Sequence, residues 1–145
     1  MIIKAFEESY RDDLIFMVLQ AKDALGRKPG LNEDLLDIKK NYFDKGDMFW
    51  IAVNEEDRVV GCIGYSRIAD SNEAFLHRLY VKAGEKHKGV GSALLHTAEN
   101  AMRDKGIRIS RVHLGVPREQ WFESWAFYPK HGYRECEPNY MLKEL

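Results

Sequence analysis

The stretch from residue 76 to residue 95, LHRLYVKAGEKHKGVGSALL, constrains the fold more than any other part of the chain. Residues 76–81 are apolar and too few for a helix, which predicts a strand. Residues 82–88 are polar and contain a glycine, so they form a connection. From Val90 the apolar side chains fall at Val90, Leu94, Ala98 and Ala101, with Ala93 and Met102 beside them, which is helical spacing. Gly89 and Gly91 stand where the connection becomes the helix, and without Cβ atoms they let a ligand come close to the backbone. The first helical turn leaves N–H groups unpaired at the positive end of the helix dipole, and the combination is a seat for phosphate. Other nucleotide motifs fit badly. No Gly-Lys-Ser/Thr follows, and Leu94 stands where Gly-x-Gly-x-x-Gly needs its third glycine.

Around this unit the chain reads as mixed α/β. Residues 1–6 predict a first strand, and Ser9 a cap for a helix with Leu14, Ile15, Val18 and Leu25 on one face, ended by residues 26–30. Asn32 predicts the cap of a second helix over 33–45, with Leu35, Leu36, Tyr42 and Phe43 inward, stopped by Gly46. Residues 48–53 and 59–66 predict a hairpin, in which Gly61 and Gly64 mark a bulge or a close approach. A strand over 75–81 and the helix to Lys105 follow, with Gly106 after its end. A strand over 111–116, a helix over 118–130 begun at Pro117, and strands over 133–135 and 140–145 complete the order.

The 145 residues, 45% apolar and 31% charged, suit one domain over 1–145 with a sizeable core. A net charge of −1 speaks against nucleic acid or an anionic membrane as the main partner. Cys62 and Cys136 have no metal-ligand spacing, so no metal is expected. With no spanning segment and no signal peptide at Met1, a cytoplasmic protein is the expectation.

The segment Lys86-His87-Lys88-Gly89-Val90-Gly91 resembles the acetyl-CoA pyrophosphate loop of the GNAT N-acetyltransferases, Gln/Arg-x-x-Gly-x-Gly/Ala. Ala126-Phe127-Tyr128-Pro129-Lys130-His131-Gly132-Tyr133 resembles that family's Phe/Leu-Tyr-x-Lys-x-Gly-Phe segment, and the two occur in the family's order. The resemblance spans nearly the whole chain. It implies the GNAT acyltransferase fold, β-α-α-β-β-β-α-β-α-β-β, a mixed sheet with helices on both faces. It also implies transfer of the acetyl group of acetyl-CoA to a primary amine in a direct ternary complex. A non-catalytic acyl-CoA-binding module, and a transferase with a longer acyl donor or a hydroxyl acceptor, stay open beside it. So do the identity of the acceptor and a homodimer.

The resemblance implies roles for named residues. Backbone groups at Lys88, Gly89, Val90, Gly91 and Ser92 hold pyrophosphate, and Lys86, His87 and Lys88 add positive charge. The strand end Leu79-Tyr80-Val81 pairs with the pantetheine arm and polarises the thioester. Tyr128 is the acid for the leaving sulfur, and Lys130 lies near the cofactor's charged end. Trp121 stands where the family often has an asparagine for the arm, and Ser124 where it has alanine. Phe75-Leu76-His77 resembles a segment of the serotonin N-acetyltransferase branch, which makes His77 the candidate base, with Glu73 as the second. Strand alternation would put Phe75, His77, Leu79 and Val81 on one face. The acceptor pocket is expected among the first two helices, their connection over 26–31 and the hairpin end around 67–72, with Tyr42, Phe43, Trp50, Trp121 and Trp125 as candidate lining. Glu33, Asp34 and Asp37 read as a solvated helix start.

Overall fold

A computed structural model describes residues 1–27 and 30–145. The elements run β1 (Ile2–Ala5), α1 (Arg11–Ala24), α2 (Ile38–Asn41), β2 (Met48–Val53), β3 (Val59–Arg67), β4 (Glu73–Val81), α3 (Val90–Asp104), β5 (Ile109–His113), α4 (Phe122–Lys130), β6 (Arg134–Glu137) and β7 (Tyr140–Glu144). This is the expected order. The strands form one seven-stranded sheet in the order β1-β2-β3-β4-β5-β7-β6. Only β4 and β5, joined through α3, are parallel; the other neighbours are antiparallel.

The sheet separates two cores. Leu14, Met17, Val18 and Ala21 of α1 pack with Leu35, Ile38, Tyr42 and Phe49 on one face. Val90, Leu94, Leu95, Ala98 and Met102 of α3 pack with Tyr128, Tyr133 and Met141 on the other. The glycines of β3 set how closely these layers approach. A Cβ on Gly61 would stand 2.9 Å from Leu94 and 3.0 Å from Val90, and one on Gly64 would stand 2.6 Å from Phe49.

The start of each of the first two helices departs from expectation. Ser9 lies in a 3-10 turn, and α1 begins after Tyr10 without a side-chain cap. Gly26 at φ 73 and the backbone hydrogen bonds that close α1 agree with an end there, while residues 28 and 29 of the expected terminator lie outside the described residues. The second helix is broken. Glu33–Leu36 and Phe43–Lys45 are 3-10 turns, and Asp37, not Asn32, caps α2 by accepting from the amide of Lys40. Leu36 faces outward as a result. A 3-10 turn over Arg118–Gln120 likewise precedes α4, which starts at Phe122 rather than at Arg118. Among the described residues no helix is long and apolar enough to cross a membrane.

Candidate active site

The centre of the sheet opens. β4 pairs with β5 only from Glu73↔Ile109 to Phe75↔Arg111, and beyond that register the two strands part. A bulge in β4 lies beside the opening. The β3–β4 register passes from Cys62↔Tyr80 to Gly64↔His77, so β4 holds one extra residue, and Arg78 there takes φ 57. Left-handed backbone is unfavourable for a long side chain, and the chain offsets it with three contacts. The Cys62 thiol donates to the Arg78 carbonyl at 3.1 Å. The guanidinium forks onto Asp34 at 2.9–3.2 Å. Asp34 also accepts from the Tyr42 hydroxyl at 2.6 Å. Burial alone would raise the Asp34 carboxyl; the hydrogen bonds from Arg78 and Tyr42 overcome it and hold the group below its ordinary value. Asp34 is therefore a structural partner rather than part of a solvated helix start.

The bulge reverses the strand's parity. Leu79 and Val81 turn to the α3–α4 core, while Tyr80 packs on the α1–α2 core. His77, opposite Gly64, lies on the α1–α2 face too. The single face expected for Phe75, His77, Leu79 and Val81 does not exist. The amide of Lys82 donates to Val60 at 2.8 Å. In an antiparallel ladder the preceding residue, Val81, then directs its own N–H and C=O to the open edge.

Next to that edge is the glycine loop. His87 at φ 62 and Gly89 at φ 83 curl the chain into α3. The amides of His87, Lys88, Gly89, Val90, Gly91 and Ser92 find no backbone acceptor of ordinary hydrogen-bond geometry among the described residues. A Cβ on Gly91 would meet nothing nearer than Phe127 at 3.5 Å, so packing does not require glycine there. Lys86 is tied to Glu123 in the first turn of α4 at 2.5 Å, and Lys88 lies 3.5 Å from Glu85. The Ser92 hydroxyl is 3.2 Å from His131, and Lys130 is exposed.

Tyr128 projects from α4 into the core that also receives Leu79 and Val81. It is 5% exposed, and its ring packs edge-on against Phe127 and Tyr133. Burial pushes its phenol up, with no hydrogen bond contributing. The His77 Nε2 lies 2.6 Å from the Ser66 hydroxyl. Burial, helped by the charge of Arg78, holds the imidazole below its ordinary value, so it is neutral at pH 7. Glu73 is engaged otherwise: it pairs with Arg111 at 2.6 Å across the parallel β4–β5 contact.

Trp121 lies flat over the exit of β5, where a Cβ on Gly115 would overlap its indole. Its other face carries the Arg27 guanidinium at 3.3 Å. Trp125 donates to the Gly115 carbonyl at 3.2 Å, and Tyr42 and Trp50 are core. No motif marks Lys22 or Arg27 as a site residue, although a basic side chain beside Gly26 in an expected pocket loop is a signal. The cavities bordered by the described residues include two at the surface. One, of about 490 Å³, lies by Ser9, Asp13 and Arg58, away from all these groups. The other, of about 740 Å³, lies against Arg67, Asp70, Ser71 and Asn72, the hairpin end expected at the acceptor side.

The family description "Acetyltransferase (GNAT) family" matches residues 5–133. N-acetyltransferase 8 of Homo sapiens is 31% identical over 107 residues, 70% of this chain and 45% of that protein. The spermidine N(1)-acetyltransferase of Thermoplasma acidophilum is 33% identical over 88 residues, 61% of this chain and 52% of that one. The chain thus spans about half the length of these curated relatives. In fold it is similar to a GNAT acetyltransferase of Staphylococcus aureus, with a TM-score of 0.88 at 24% identity over 99% of this chain and 98% of that one. It is similar also to the PaiA N-acetyltransferase of T. acidophilum in complex with coenzyme A, with a TM-score of 0.78 at 22% identity over the same shares.

Proposed function

The chain belongs to the GNAT acetyltransferase family, and from that premise we propose that it moves the acetyl group of acetyl-CoA to a primary amine through a direct ternary complex. One observation carries the reading: six consecutive amides, His87 to Ser92, with no backbone acceptor of ordinary geometry among the described residues, lead into a fifteen-residue helix beside the opened edge of β4. Such a donor set fits a pyrophosphate, because amides and helix dipole point the same way and Gly91 leaves room for close approach. Lys86 and Lys88, paired with Glu123 and Glu85, would add positive charge by exchanging those carboxylates for phosphate.

When bound, acetyl-CoA supplies an activated acyl group on a thiol that leaves readily. The residues supply position and protons. Val81 offers N–H and C=O to an extended arm in the gap between β4 and β5, in the manner of an added strand. Donors at the Leu79–Val81 strand end polarise a carbonyl held there. Tyr128, with its phenol kept protonated by burial, gives a proton to the departing sulfur. His77, kept neutral by burial, takes a proton from the amine directly or through water. Glu73, occupied by Arg111, is the less available base. Trp121 shields the arm by packing rather than by a polar contact.

Gly91→Glu tests the phosphate seat. A carboxylate suits the first turn of a helix, so the fold survives while like charge meets the pyrophosphate. Calorimetry should show acetyl-CoA binding lost in a folded variant. Unchanged binding sinks the assignment.

A further inference from the structure

The connection between α1 and α2 holds more positive charge and more hydrogen-bond donors than the chain itself uses. Among the described residues Lys22, 9% exposed, spends two of its three donors, on the Gly30 carbonyl at 2.6 Å and the Asn32 Oδ1 at 2.9 Å. That second bond fixes the Asn32 amide with its NH₂ turned away from Lys22, and this buried Nδ2 has no partner among the described residues. The buried Nε of Arg27 also has none, and the one hydrogen bond its guanidinium makes among the described residues, from a terminal nitrogen to the Gln120 carbonyl, is long at 3.4 Å. The groups adjoin one another, since the Arg27 amide donates to the Lys22 carbonyl at 3.1 Å. Lys22 faces Arg78, Arg27 and Asp34, but Arg78 already occupies Asp34 with both arms of its fork, and the carboxylate that faces Arg27, Glu123, is already paired with Lys86. The cluster sits over the sheet opening. Lys22 lies 5.9 Å from the Tyr80 ring at the end of β4, and Arg27 stacks on Trp121 at the exit of β5.

Buried donors without acceptors are costly unless an anion completes the set. We propose that the free donors of Lys22, Arg27 and Asn32 receive a carboxylate on the acceptor, which makes the acceptor a small amine bearing a carboxylate, such as an amino acid. The inference rests on the acetyl-transfer reading and adds the substrate class. A polyamine would instead bring further cations against Lys22 and Arg27. The amide run at α3 is a separate anion seat, so the two need not compete for the donor's phosphates.

The test uses the full chain, acetyl-CoA, the twenty standard amino acids, their carboxamides and spermidine, followed by thiol release. At least one amino acid should be used with a kcat/KM ten or more times that of its carboxamide. Arg27→Gln should lower kcat/KM for that acid by roughly 10- to 100-fold, the range for a hydrogen bond to a charged group. The same variant should leave the rate on the carboxamide and the calorimetric Kd of acetyl-CoA nearly unchanged, which also reports an intact fold. Equal use of acid and carboxamide, or spermidine as the preferred acceptor, overturns the proposal. A matching loss of acetyl-CoA affinity in Arg27→Gln overturns it too, by assigning the cluster to a phosphate of the donor. If acetyl-CoA binds and no amine is acetylated, calorimetry of the amino acids against the coenzyme A complex decides. Binding that Arg27→Gln abolishes upholds the carboxylate seat while the transfer reading fails, and absence of binding removes both.

Discussion

Tyr128 has a packed ring and a hydroxyl to which burial alone, and no hydrogen bond, brings a shift. A tyrosine kept for packing would be expected to tie its hydroxyl to the backbone. Tyr128→Phe should therefore leave the melting temperature and acetyl-CoA affinity nearly unchanged while turnover falls by about 10- to 10³-fold, at or below the usual range for a general acid. A destabilised variant with normal turnover would remove Tyr128 from the chemistry. His77→Ala should cost about 10²- to 10⁴-fold in turnover if the imidazole is the base. Because burial lowers its pKa, the base form persists below the ordinary imidazole range. The acidic limb of the wild-type pH–rate profile should lie under that range and vanish in the variant. An unaltered limb would shift the role to Glu73 or to water. These two side chains are proposed from short motifs around them. Asp34 was not, because its partners, Arg78 and Tyr42, are set by a bulge and a broken helix that no local pattern announces.

The strand and helix order was readable from periodicity, and the loop–α3 unit that opens the site agrees with its sequence almost to the residue. Two elements were not readable, and for physical reasons. The second helix breaks because the Asp37 carboxylate takes the amide of Lys40, a local bond that restarts the helix five residues late. β4 changes face at Arg78, where no glycine signals the left-handed backbone; the compensation comes from Asp34 and Cys62, distant in sequence. Packing at Gly61 links the elements to the site, since it lets the first residue of α3 rest on β3. Gly61→Ala should cost about 1–3 kcal/mol in urea unfolding, the usual range for overpacking. By lifting Val90 it should also weaken acetyl-CoA binding. A variant of wild-type stability and affinity would show that α3 yields without consequence.

Across the whole molecule the two halves of the sheet meet at three parallel residue pairs and the Glu73–Arg111 ion pair. The half beyond that seam is bound to α3 by a buried polar cluster. Glu99, 1% exposed, accepts from the Tyr133 hydroxyl at 2.9 Å and pairs with Lys143 of β7 at 3.0 Å, while Tyr133 also meets Ser110 of β5 at 2.8 Å. Lys143→Met keeps the aliphatic stem and strands the carboxylate, at a cost of about 3 kcal/mol in thermal or urea unfolding. Adding Glu99→Gln should recover most of it, and a silent single variant would show that Tyr133 alone satisfies Glu99. The amide run at the start of α3 has a consequence of another kind. Amides belong to every residue but proline, so a seat made of them survives almost any change of spelling that preserves the turn. The α1–α2 connection holds its charges on side chains, which one codon can replace. On the proposed reading, the donor seat therefore tolerates side-chain substitutions that would remove the acceptor seat.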